Sequence, residues 1–170
     1  MSGIVARFHL RNRAGMRTPL AALALAAIVT MSSMVFAQAA PRPEQLIKWR
    51  QSAFQVIAWN TQRLKVALAA NGDAREVQSA ANALAAVASS GLFDLFVPGT
   101  EHGKGWRETA ASEAVLKDGA AFRAQADEFS REAALLARLA AGTDRAAIKD
   151  QFTKVAKTCK SCHDKFRETE

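Results

Sequence analysis

Cys159 and Cys162 are the two cysteines of this chain, and they stand three residues apart in the stretch CKSCHDKFR with His163 directly after the second. Two thiols beside an imidazole support three chemistries: a redox disulfide, half of a zinc site, or covalent attachment of a haem. A disulfide closing so small a loop constrains little of the unfolded chain. A redox pair needs its first cysteine at a helix N-terminus, whereas this pair falls near a helix C-terminus, where the dipole opposes a thiolate. Zinc wants four ligands. Beyond residue 39 the chain offers two Cys and two His, and three of those would crowd one ion from a continuous helix. Haem attachment needs what is present. Residues i, i+3 and i+4 share a helical face, so Cys159 and Cys162 can form thioethers with the two vinyl groups while His163 supplies an axial iron ligand. Cys-x-x-Cys-His is the c-type signature. The expected cofactor is one covalently bound haem c.

The partner across the iron is approached by counting. Electron-transfer cytochromes place Met or His there. The methionines are Met1, Met16, Met31 and Met34, all ahead of the expected cleavage site described below. His102 lies in the glycine-rich loop GTEHGKG, and no lysine stands out. The expectation is five-coordinate, high-spin iron. The alternative is a low-spin electron-transfer cytochrome with an unidentified sixth ligand. Arg50 interrupts an apolar stripe, and a buried cation needs a partner; a haem propionate is the natural one, with snorkelling to solvent as the other reading. Arg167, four residues after His163, either flanks the proximal imidazole or is a solvated last-turn arginine. No acid–base pair or nucleophile points to an enzyme.

The elements that must position these residues are helices. After Pro43 the chain is rich in Ala and poor in Gly and Pro, with no β-branched alternation. Four helices are predicted: Pro43 to Ala70; Asp73, as N-cap, to Ser90; Ser112 to Gly142, weakened at Gly119; and Thr143 or Asp144 to Phe166. Ile47, Arg50, Phe54, Ile57, Thr61, Leu64 and Leu68 form a core-facing stripe on the first. Ile148, Phe152, Val155, Cys159, Cys162 and Phe166 do so on the last. Two short connections and one longer one predict an antiparallel up-down-up-down four-helix bundle, all-α, with the haem near the C-terminus. Phe93, Phe96 and Phe122 are expected in the core, and Trp49, Trp59 and Trp106 in the core or at an interface.

Residues 1–39 carry four arginines and no acid, then an apolar run from Leu20 to Met31 and the small-x-small exit Ala37-Gln38-Ala39. That pattern describes a secretory signal peptide cleaved near Ala39, leaving a single domain over 40–170, not membrane-embedded and periplasmic. From residue 40 onward 19 Lys and Arg face 16 Asp and Glu. This is no nucleic-acid footprint.

Three segments, PEQLIKWRQSAF, VPGTEHG and CKSCHDKFR, together resemble the cytochrome c' family of class II c-type cytochromes across nearly all of residues 40–170. The resemblance implies the up-down-up-down bundle, Arg50 at a propionate, Phe54 over the open iron face and Arg167 on the proximal side. It also implies nitric oxide and carbon monoxide as ligands, possible redox partner proteins, and a homodimer built from the first two helices. The chain departs from the family at the entry to the third helix, where VLKDGAAF replaces the usual tryptophan and Trp106 lies upstream.

Overall fold

The computed structural model describes residues 40–168, and the expected signal peptide lies outside the described residues. The principal helices are α1, Pro43–Ala69, and α2, Ala74–Ala88. A 3₁₀ turn, Leu92–Leu95, and a short helix α3, Ala114–Lys117, precede α4, Gly119–Ala140, and α5, Arg145–Phe166. Among the described residues there is no strand, only two isolated bridges, and no helix is long and apolar enough to cross a membrane.

Local chemistry sets these boundaries. Pro43 opens α1 where its missing N–H is no loss, and Gln45 Oε1 accepts from Arg42 N at 3.0 Å. The helix ends where Asn71 turns left-handed at φ 49° and Gly72 N donates to Ala67 O at 2.7 Å, satisfying one terminal carbonyl. Asp73 caps α2 by accepting from Arg75 N at 2.9 Å, and Asp144 caps α5 through Ala147 N at 3.0 Å. The third predicted helix is not continuous. Asp118, at φ −110° and ψ 42°, separates α3 from α4. Gly119 supports helix poorly, and the Asp118 carboxylate is held by Lys165 Nζ at 2.9 Å.

The four long helices form an antiparallel bundle. Consecutive neighbours pack tightly: α1 on α2, α2 on α4 and α4 on α5. Leu64, Ala80, Ala81, Leu84, Ala133 and Leu136 are fully buried, and the alanines let α2 approach α1 and α4 closely. The small residues of α2 thus serve the bundle's own interior to a large extent. Around the ring α5 should close on α1, but those two barely touch. Burying a continuous apolar stripe on each while keeping them apart leaves a space between them.

The tryptophans are not core. Trp49, Trp59 and Trp106 are 50%, 62% and 68% exposed. Phe93 and Phe122 are buried as expected, and Phe96 borders the space between α1 and α5.

Candidate functional site

The space between α1 and α5 is a cavity of about 480 Å³, within the range typical of ligand pockets. α1 supplies one wall with Arg50, Phe54, Ile57 and Thr61, and α5 the other with Thr158, Cys159, Cys162, His163 and Phe166. This explains why Phe54, Thr61, Cys159 and Cys162 are only part-buried although they lie on the inward stripes. They face a cavity rather than another side chain.

At about 100° per helical residue, Cys159, Cys162 and His163 fall within one narrow arc of α5, and all three reach the cavity. Both thiols are free. Desolvation raises the Cys159 pKa, and Cys162 is pushed up to about 11 by burial and then by its neighbour Cys159. Neutral thiols are poor redox nucleophiles, which weighs against a dithiol switch at this pair. Desolvation, followed by the charge of Arg167, lowers the His163 pKa, with Asp164 opposing. That keeps the imidazole neutral, the form that ligates a metal. No group of three or more His, Cys, Asp or Glu gathers at one point among the described residues.

Arg50 is 2% exposed. It donates to Thr100 Oγ1 at 2.8 Å, to Thr100 O, and to Thr109 Oγ1 at 2.5 Å, and its guanidinium lies over the Phe96 ring at 4.4 Å. Every acceptor is neutral. Desolvation lowers its pKa to about 10, only partly offset by the charge of Glu101. A buried cation with no ion-pair partner among the described residues lines a cavity whose other wall carries two thiols and an imidazole. A flat apolar macrocycle bearing two carboxylates fits that combination. The thiols and imidazole could fix its face, and Arg50 its acidic edge.

Sequence reasoning did not find the residues that hold Arg50 in place. Residues 97–112 cross over α1 as a strap. Gln51, one position off the stripe, clamps it: its Oε1 accepts from Trp106 N at 2.7 Å and its Nε2 donates to Arg107 O at 2.9 Å. Trp106 Nε1 reaches Ser52 Oγ at 2.9 Å. The approach is so close that a Cβ on Gly105 would fall 2.5 Å from Gln51 Oε1 and 2.9 Å from the Lys48 backbone nitrogen. The strap brings Thr109 and Arg107 to the cavity. It also caps α5: Ser112 N donates to Phe166 O at 3.0 Å and Glu168 N to Ala110 O at 2.9 Å. Arg167, just past the helix end, thereby lines the cavity beside His163. His102 does not line it.

Residues 45–167 match the family model described as Cytochrome C'. A cytochrome c' from Rhodocyclus tenuis is 49% identical over 131 residues, covering 74% of this chain and 96% of that relative. Among solved structures, a cytochrome c' with an unusual ligand-controlled dimer dissociation superposes with TM-score 0.74 at 34% identity, over 77% of this chain and all of that one. A nitric oxide complex of a mutant cytochrome c prime from Alcaligenes xylosoxidans superposes with TM-score 0.68 at 26% identity, over 78% of this chain and all of that one.

Proposed function

The chain belongs to the cytochrome c' family, whose cofactor is covalently attached haem c, and on that footing we propose that it is a periplasmic gas-binding haem protein with a five-coordinate iron. In this reading Cys159 and Cys162 carry the thioethers, His163 is the axial ligand, Arg50 meets a propionate, Phe54 covers the distal face and Arg167 flanks the proximal one. When bound, haem c supplies an iron that takes up a diatomic gas and exchanges one electron. The observation that carries the proposal is the composition of the cavity wall. Among the described residues its lining contains no methionine, no lysine and no histidine other than His163, so α1 offers an aromatic ring and not a ligand across from the imidazole. Nitric oxide is bound by the Alcaligenes xylosoxidans neighbour.

α1 also leaves an apolar row in solvent. Trp49, Val56, Trp59 and Val66, spaced 7, 3 and 7, are 50%, 39%, 62% and 57% exposed. A heptad-like row of this kind seeks a partner helix, and a homodimer through α1 buries it. The solved relative with ligand-controlled dimer dissociation supports that assembly.

The test is an optical spectrum of the reduced protein before and after nitric oxide. A high-spin spectrum that changes on addition is expected. A strong low-spin spectrum beforehand favours the electron-transfer alternative with a sixth ligand. The colour must survive boiling in detergent and resist acidified organic solvent, and His163→Ala must lose most of the holoprotein.

A further inference from the structure

Counted along the chain, charges look evenly mixed; sorted by element they are not. Residues 40–144 hold twelve Lys and Arg and twelve Asp and Glu, whereas residues 145–168 hold seven against three. The whole positive excess of the described residues sits on α5 and its end. Lys149, Lys154, Lys157, Lys160 and Lys165 are all exposed. Lys160 pairs with Asp164 at 2.5 Å and Lys165 with Asp118 at 2.9 Å. Lys149, Lys154 and Lys157 make no ion pair among the described residues. The opposite face of this helix carries Cys159, Cys162 and His163 into the cavity. One helix diameter, about 10 Å, therefore separates the cavity from the outer face of the element that carries the positive excess of the described residues.

We propose that the outer face of α5, centred on Lys154 and Lys157, is the docking surface for an acidic redox protein that exchanges single electrons with the haem. The proposal rests on the haem reading above and names the partner chemistry of that same site. One electron leaves the partner's reduced centre, which is oxidised, and reduces ferric iron to ferrous; no bond or proton moves. A local field of one sign steers such encounters and raises association rates by factors of 10 to 1,000. The charge pattern favours a protein over a lipid surface. None of the large exposed hydrophobics lies on α5, so nothing there inserts into a bilayer, and Asp150 and Asp164 interleave with the lysines, as suits a mixed acidic-basic contact.

Ferrous holoprotein is oxidised in a stopped-flow instrument by hexacyanoferrate(III), an anion, and by tris(phenanthroline)cobalt(III), a cation, across a range of ionic strength. The anion's rate is expected to fall with salt and the cation's to rise. The double variant Lys154→Glu, Lys157→Glu should lower the anion-to-cation rate ratio about tenfold. The control Lys65→Glu, Arg138→Glu makes the same change in net charge on exposed positions of α1 and α4 and should leave the ratio near wild type. Equal effects in both variants mean that overall charge governs the rate and overturn the proposal. Amide chemical-shift changes in the holoprotein on adding poly-glutamate should cluster on 149–165; scattered shifts overturn it. Binding to phosphatidylserine vesicles without any response to poly-glutamate overturns it in favour of a membrane surface. A preparation without covalent haem is recognised from its spectrum before any oxidant is added. That result defeats the haem reading itself, and is thereby distinguished from a failure of docking.

Discussion

Replacing Phe54 with alanine separates the stability of the distal wall from its control of ligand entry. The ring stands on the α1 wall, across the cavity from Cys159, Cys162 and His163. It packs edge-on against Phe93, with centroids 6.4 Å apart at 73°, and against Phe96, 6.3 Å apart at 70°. Each such pair contributes about 0.5–1.5 kcal/mol beyond its area. A fully buried Phe→Ala change costs about 3–5 kcal/mol. Phe54 is only part-buried, so about 2–3 kcal/mol is expected, a fall in Tm of about 10 °C for a domain of this size. Binding should move the other way. On the proposed reading a diatomic entering opposite His163 has to displace the ring, and relief of about 1.4 kcal/mol of that penalty raises affinity about tenfold. Titration of ferrous wild type and Phe54→Ala with carbon monoxide reads the affinity, and stopped-flow mixing reads the association rate. Phe54→Leu, which fills part of the space, should fall between them. Unchanged affinity together with an unchanged association rate refutes the reasoning and makes Phe54 an ordinary packing residue.

Two other expectations concern charge and assembly. Arg50→Gln removes the one buried cation at the cavity; a carboxylate left facing the neutral side chain titrates higher, so the midpoint potential should acquire a slope with pH above about pH 5, and a profile identical to wild type would detach Arg50 from the cofactor. Trp59→Glu places a charge in the exposed row of α1 and should weaken self-association at least about tenfold in sedimentation equilibrium; an unchanged distribution would remove α1 from the dimer.

How much of this was legible in the sequence depended on whether the information was periodic. The helix that carries the site was readable, because spacings of three and four encode one face, and Asp144 and Phe166 bound α5 where composition placed them. The α1 stripe was readable as a pattern but not as a destination. Phe54 and Thr61 obey the same period as Ile47 and Leu64, yet they face a cavity and remain part-exposed. Asn60, fully buried with its amide donating to Val56 O at 2.8 Å, was missed because a polar side chain satisfied within its own helix looks like a solvent position. The tryptophans misled in part, since large aromatic area can be reserved for an outer surface as well as the core. The strap was invisible. Its bonds to Arg50 and Gln51 span fifty or more residues, and contacts between a loop and a helix leave no period to read.

That strap changes what Arg50 means. Taken alone, a cation in an apolar stripe is either an anion site or a long side chain bent toward water. The second reading fails, because the guanidinium is enclosed by Thr100, Thr109 and Phe96. Holding it there is unfavourable: burial away from water pulls its pKa down to about 10, a cost borne by the folded state. Since the unfolded chain binds the proton more tightly, this penalty is present in full at neutral pH and fades only above about pH 10. Three neutral acceptors offset part of it, and on the proposed reading a propionate at the cavity edge would offset more. The same guanidinium ties the strap to α1, and on the proposed reading it would also meet the acidic edge of the cofactor. Through Ser112 and Glu168 the strap also holds the end of α5 beyond His163. Arg50 and Gln51 hold the strap, and the strap holds the helix end beyond His163, so the two walls of the cavity are coupled although α1 and α5 hardly touch; on the proposed reading, loading the cofactor should stabilise Arg50 and with it this whole connection.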